Sequence, residues 1–478
     1  MRYLRLLPVL FFLLTLALPA RADAPPHSII LFIGDGMGAN QRLAAQWLSV
    51  GQDGQLAMDA LPFSGWSQTA NRTGGITDSA AGGTAIATGT RTDNGIISQT
   101  FDGQTLTTIL ELAQARGMSV GLVTTTQLAH ATPAVFAAHV SSRSMMTEIA
   151  RQEIAAGVDV LLGGGEDDFL PITATGCYGG LGNRLDGRNL IAEAQSAGYA
   201  TACTAAELSA LDTAHTAKLF GAFADAGMVR PFSPTLAKMT TAALDVLGQN
   251  PNGYFLMVEG GQIDWAGHAN DAANVIGDTL GLDAAISTAL AHPAVDAGRT
   301  LVIVTADHET GGMALSLTDN GGTQFSMPDS TPFWVTFSTD YHTAADVPVT
   351  ATGHCANFVS GTFPNTEIFG AMKRALDPCL SVSITGNLLG TPADVFTLTA
   401  AISPATAITP LTLTWQVDGF SPVTRTGTLT DSTAFQWAIT GTHRVTVTAQ
   451  NPGDSVSVSR SVVVADSVFS VYLPLILK

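Results

Sequence analysis

Ser28-Ile29-Ile30-Leu31-Phe32-Ile33 runs directly into Gly34-Asp35-Gly36-Met37-Gly38. The apolar run is short and does not alternate. It reads as a β-strand buried on both faces. An Asp-Gly pair after a strand is ordinarily a turn. Here the pattern recurs further along. Residues 254–258 lead into Glu259-Gly260-Gly261-Gln262-Ile263-Asp264-Trp265-Ala266-Gly267-His268. Residues 301–305 lead into Ala306-Asp307-His308-Glu309. Further apolar runs cover 120–124 and 333–337, and helix-like stretches cover 106–116, 145–156 and 234–247. Continuous apolar strands alternating with helices imply a mostly parallel sheet with both faces covered. Ligands of such sheets bind beyond the carboxyl ends of the strands. The acids and imidazoles lie at that edge.

The chemistry of those residues suggests metal ions. Asp264 and His268 are four apart, so a helical turn puts both on one face. Mixed His and Asp ligation suits zinc, and oxygen ligation suits magnesium. The segment Thr77-Asp78-Ser79-Ala80-Ala81-Gly82-Gly83 opens another helix-like stretch. Asp78 is placed to cap it. Ser79 would then lie in the first turn, where backbone N–H groups and the dipole favour an anion. Taken alone, Ser79 reads as an ordinary capping residue.

Composition excludes several classes. The chain has 478 residues, 21 basic and 39 acidic, for a net charge of −18. Apolar residues make up 46% and charged residues 13%, which excludes a disordered chain. The acidic excess argues against nucleic-acid binding. Residues 1–22 carry Arg2 and Arg5, then an apolar run, then Ala20-Arg21-Ala22, and read as a signal peptide. Export permits disulfides. The expected pairs are Cys177–Cys203 and Cys355–Cys379, although four cysteines allow three connectivities. The expected location is secreted: periplasmic, extracellular or cell-surface.

After Cys379 the composition changes. Thr412-Leu413-Thr414-Trp415-Gln416-Val417 and Val445-Thr446-Val447-Thr448 alternate strictly. Asp418-Gly419 and Asn451-Pro452-Gly453 mark turns between such runs. The pattern implies a small antiparallel β-sandwich over 381–466. Residues 441–464 resemble the last strands of PKD-like and immunoglobulin-like modules. The apolar end, 467–478, is too short to span a bilayer. It reads as a last strand or as a surface-retention signal. Between residues 23 and 380 there are 34 acids and 14 bases, so the acidity belongs to the first unit.

The motifs of residues 28–380 together resemble the alkaline phosphatase family. That resemblance implies the family's α/β sheet as the fold, followed here by the all-β domain. The activity it implies is phosphomonoester hydrolysis through a phosphoserine intermediate, with two zinc ions and a third metal, magnesium. By the same resemblance, Ser79 matches the nucleophile, and Arg143 matches the residue that clamps the substrate phosphate. Asp264, His268 and His354 match the first zinc site, and Asp35, Asp307 and His308 the second. Thr132 and Glu259, with Asp35, match the magnesium site. Well-studied bacterial members carry Asp and Lys near the third metal, where this chain has His130 and Trp265. Small phosphomonoesters are the implied partners. A homodimer is implied too, although few residues precede the first strand to embrace a partner. The β-domain suggests contact with a cell surface. The competing readings are a phosphodiesterase of the same superfamily and a non-catalytic surface protein that binds metal or phosphate.

Overall fold

The structure is a computed structural model that describes residues 28–296, 298–376, 380–403, 410–451 and 455–466. The expected signal peptide, residues 467–478 and Cys379 lie outside the described residues.

The opening run forms strand β1, Ser28–Gly34, with every residue buried. It is the fifth of ten strands in the main sheet. The others, in chain order, begin with β2 (Phe63–Gln68), β3 (Ser119–Gln127), β4 (Val160–Gly164) and β5 (Ala200–Ala202). They continue with β6 (Leu219–Ala222), β7 (Tyr254–Gly260), β8 (Thr300–Thr305), Val347–Thr352 and Gly361–Pro364. From edge to edge the order is Gly361–Pro364, β2, Val347–Thr352, β8, β1, β7, β3, β4, β6, β5. β8, β1, β7, β3, β4, β6 and β5 are mutually parallel. Val347–Thr352 runs antiparallel to both β8 and β2.

Alternate residues of β1 feed two cores, which explains why its apolar run does not alternate. Ile29, Leu31 and Ile33 pack with Ile109, Ala134, Ile368 and Met372 on one face. Ile30 and Phe32 pack with Leu236, Met239, Val275 and Leu282 on the other. Each such side chain stabilises the fold by about 1.5–3 kcal/mol. Helices Leu236–Leu247 and Ala272–Leu290 cover the second face. The expected sheet is therefore present, with one exception. The run at 333–337 joins a separate three-stranded sheet as Pro332–Thr336.

From residue 381 onward the regular elements among the described residues are all β-strands. A three-stranded sheet (Ser381–Gly386, Phe396–Ser403, Thr430–Phe435) and a five-stranded sheet share one core. Leu413, Trp415, Val445 and Val447, the inward halves of the alternating runs, line it. Cys177 and Cys203 are bridged as expected. Cys355 is disulfide-bonded as well.

Candidate active site

The parallel strands deliver their polar residues to one edge. Asp35 follows β1, Glu259 is the next-to-last residue of β7, and Asp307 and His308 follow β8; all four have zero exposure. The chain can turn at Asp35 because Gly36 adopts φ +72°. A side chain there would also meet the Thr310 hydroxyl at 2.6 Å. Helix Gln262–His268 then brings Asp264 and His268 together.

Asp264, His268 and His342 form the first group. His268 Nδ1 contacts the Asp340 carbonyl at 2.6 Å, and His342 Nδ1 contacts the Thr77 carbonyl at 2.8 Å. A carbonyl only accepts, so both Nδ1 atoms carry hydrogen. In neutral rings both Nε2 atoms are then bare lone pairs. They face each other at 3.1 Å, and each lies 3.4 Å from Asp264 Oδ1. Three acceptors at those distances require a positive charge between them. A proton meets the need in part: burial works to lower the His342 ring, but its hydrogen bond to Asp264 raises it above the usual imidazole value. For Asp264 burial works upward, and the His342 hydrogen bond with the imidazole charges pulls it below the carboxylate range. A metal ion meets the same need with directed bonds.

Asp35, Asp307 and His308 form the second group. Backbone N–H groups of Gly36 and His308 hold Asp307 Oδ1 at 3.2 and 3.0 Å. That leaves Asp307 Oδ2 buried without a hydrogen-bond partner. His308 Nε2 lies 3.3 Å from Asp307 Oδ2 and 3.4 Å from Asp35 Oδ1. Burial and the neighbouring Asp264 charge push Asp307 up to about 6. Burial and the charges of Asp307, Asp264 and Glu259 raise Asp35 well above its usual value. Burial and the His342 charge lower His308 to about 3, which keeps the ring neutral. Ser79 opens helix Ser79–Thr88, with Asp78 capping through Ala81 N–H. Its Oγ sits 3.3 Å from His308 Nε2 and 3.5 Å from Asp35 Oδ1.

The third group is Asp35, His130 and Glu259. Thr132 Oγ1 donates to Asp35 Oδ2 at 3.5 Å, and Thr124 donates to Glu259. Glu259 Oε1 and His130 Nδ1 are buried and unpartnered. Burial drives Glu259 up to about 7. Burial and the Arg143 charge lower His130 to about 3. Arg143 spans two supports, with Nη1 donating to Asp78 at 3.1 Å and Nη2 to His130 Nε2 at 3.1 Å. Trp265 meets the His130 ring edge-to-face at 6.0 Å.

One expected ligand is corrected. His354 joins none of these groups among the described residues, and His342 stands beside Asp264 and His268 instead. The cause is strand direction. Val347–Thr352 is antiparallel to β8, with Thr350 beside Val304 and Thr352 beside Val302. The residues before this strand therefore lie at the carboxyl edge, and those after it lie away from that edge. Sequence reasoning also misses Thr310, which donates to Asp264 Oδ1 at 2.5 Å. It misses the role of Asp78 as an anchor for Arg143, beyond its capping.

Fold and cluster define an α/β protein with three candidate metal-binding groups at one sheet edge and a buried serine against the second of them. Similarity to known proteins makes this specific. The alkaline phosphatase family model matches residues 27–337, and the chain belongs to that family. It is a phosphomonoester hydrolase. Streptomycin-6-phosphate phosphatase of Streptomyces griseus is 37% identical over 74% of this chain and 91% of its own length. Alkaline phosphatase of Escherichia coli (strain K12) is 34% identical over 74% and 87%. The solved alkaline phosphatase from the Antarctic bacterium TAB5 is 31% identical with a TM-score of 0.63, covering 74% of this chain and 98% of that one. A histidine-to-aspartate variant of the TAB5 enzyme is described with Mg bound in the M3 site. Among the described residues here, no helix is long and apolar enough to cross a membrane.

Proposed function

We propose an exported phosphomonoesterase that works through a phosphoserine at Ser79, with zinc in the first and second groups and magnesium in the third. Asp264, His268 and His342 would hold one zinc; Asp35, Asp307 and His308 would hold the other. Asp35, Thr132 and Glu259 would hold magnesium. The facing Nε2 atoms of His268 and His342 carry this reading, since their backbone partners leave both lone pairs aimed at one point. The orphaned oxygens of Asp307 and Glu259 support it. When bound, the cations would neutralise the carboxylates and stabilise the attacking and leaving oxygens.

The chain's own groups do the rest. Arg143, held by Asp78 and His130, presents its guanidinium to the phosphate oxygens. The first turn of helix Ser79–Thr88 adds backbone N–H groups for the anion. Ser79 Oγ attacks phosphorus in line as the leaving-group oxygen departs. Water then attacks the phosphoserine from the opposite side and restores the Ser79 hydroxyl. Two inversions retain configuration. The arrangement favours monoesters, whose dianionic phosphate offers two free oxygens to Arg143.

The division into a signal peptide (1–22), a catalytic unit (23–380), a β-sandwich (381–466) and a tail (467–478) is part of this proposal. Separate cores support the boundary between catalytic unit and sandwich. We take the histidine replaced in the TAB5 variant to be the counterpart of His130; on that reading, Mg in the M3 site of the aspartate variant supports a magnesium role near His130. The test is turnover of an aryl phosphate and an aryl diester, before and after chelation and after zinc is returned. Monoester turnover that disappears with chelator and returns with zinc is expected. Chelator-resistant turnover, or a preference for the diester, would contradict the proposal.

A further inference from the structure

The loop between β6 and helix Leu236–Leu247 plays no part in the chemistry above, yet it is tied firmly to the site. Ala226 O accepts from Gly165 N–H at 2.7 Å, and Met228 N–H donates to Thr125 O at 3.1 Å. Gln262, which opens the helix carrying Asp264 and His268, donates to Met228 O at 2.6 Å and to Thr125 O at 2.7 Å. Between these ties lies Gly227. Its φ is not positive, so glycine is not there for a left-handed turn. It is there for room. A Cβ on Gly227 would lie 2.4 and 2.6 Å from Cη2 and Cζ3 of Trp265. The outer ring of the indole thus rests on bare backbone.

The contacts continue toward the site. Trp265 stands edge-to-face against His130, with interplanar angle 82°. His130 Nε2 accepts from Arg143 Nη2 at 3.1 Å. A pinned loop therefore backs the indole, the indole backs the imidazole, and the imidazole steadies the guanidinium. A rigid support of this kind matters because small misplacements of a binding group are costly.

We propose that Gly227 is a positioning residue for phosphate binding: by seating Trp265 it fixes His130 behind Arg143. The inference rests on the reading of Arg143 as the phosphate-binding residue. It places a specific requirement on Gly227, a residue that does not touch the substrate. Adding one methyl group there must displace the indole or the loop. A phenylalanine at 265 lacks the outer indole ring and would accept that methyl.

The test uses the full-length, metal-loaded chain and inorganic phosphate as the probe, with affinity read by calorimetry and KM and kcat on an aryl phosphate. Gly227→Ala should weaken phosphate binding and raise KM by about tenfold, a modest share of what misplacement can cost. In the Trp265→Phe background the same change should alter phosphate affinity by less than about twofold, because the clash is gone. Melting temperatures verify folding. Should Gly227→Ala fail to fold, Gly227→Ala/Trp265→Phe should still fold with the phosphate affinity of Trp265→Phe. Unchanged affinity in Gly227→Ala, an equal loss on both backgrounds, or a double variant that does not recover overturns the inference. Arg143→Ala separates the two readings. Weakened phosphate binding in Arg143→Ala with none in Gly227→Ala rejects only the role of Gly227. Unchanged binding in Arg143→Ala rejects the Arg143 reading and this inference together.

Discussion

The sheet edge and the C-terminal sandwich bury polar groups in opposite ways. In the sandwich, Trp415 Nε1 donates to Asp431 at 2.9 Å, Arg425 donates to the same carboxylate at 2.6 Å, and Trp437 Nε1 donates to the Asp418 carbonyl at 2.9 Å. At the sheet edge, Asp307 Oδ2, Glu259 Oε1 and His130 Nδ1 are buried without partners. Among the described residues, none of the unpartnered buried side-chain atoms falls after residue 380. A native fold seldom tolerates such orphans, because each costs about 1–3 kcal/mol. Others are scattered through the first unit, but Asp307, Glu259 and His130 are the ones that belong to groups of converging carboxylates and imidazoles, and there they mark room for something other than the protein itself.

That contrast can be broken most severely at the serine. Ser79→Ala should lose several decades of kcat, with zinc content unchanged because Ser79 belongs to none of the ligand groups. Residual hydrolysis should remain, since Arg143 and the metal sites persist. Steady-state kinetics beside metal analysis reads both, and wild-type-like kcat would rule Ser79 out as the nucleophile.

The ligand correction gives the next largest effect. His342→Ala should lower zinc affinity by at least about 100-fold, at or beyond the range seen for residues that merely support ligands. His354→Ala should stay within a few-fold of wild type. Competition with a zinc chelator measures both. The opposite order would restore His354 to the site.

In the sandwich the same scale of disruption should leave chemistry alone. Trp415→Ala removes a fully buried indole and should cost about 3–5 kcal/mol of that unit's stability. Its kcat/KM should match wild type. A parallel fall in zinc binding or turnover, measured alongside denaturant unfolding, would show that the two regions are not independent.

The smallest effect sharpens the comparison within the first unit. Glu153 is fully buried, both its oxygens lack partners, and it lies outside the metal groups. Burial, reinforced by the Asp168 charge, raises it well above the ordinary 4.5. The folded state therefore keeps a proton that the unfolded state releases. Stability is fully present below the ordinary value and is lost as pH rises from there toward the raised one. The loss has a slope of up to about 1.4 kcal/mol per pH unit. Glu153→Gln should remove this slope, giving a gain over wild type at pH 8 that shrinks near pH 4. Denaturant midpoints at the two pH values give the comparison, and a pH-independent difference would contradict it.

Much of this is legible in the sequence because parallel strands report their own ends. Asp35, Glu259, Asp307 and His308 each follow or close an apolar run, so locating the run locates the residue. Asp264 and His268 are legible from helical spacing, and the sandwich from strict alternation. His342 is not, because it sits in a two-residue strand, His342–Thr343, with no apolar run leading to it. Choosing between His342 and His354 requires the direction of Val347–Thr352, which is set by pairing with β8 rather than by the strand's own residues. Glu153 and Gly227 are hidden for a similar reason: a packed environment, not a local pattern, gives them meaning.

The central claim is that the strand-end cluster binds cations that serve Ser79. It is tested most directly by trapping. The zinc-loaded full chain is mixed with a phosphomonoester, quenched in acid and digested, and the peptides are sequenced by mass spectrometry. The expected result is covalent phosphate on Ser79, abundant in the zinc-loaded protein and absent after zinc is stripped. Phosphate on a different residue, or full turnover by zinc-stripped protein with Ser79 unmodified, would contradict it.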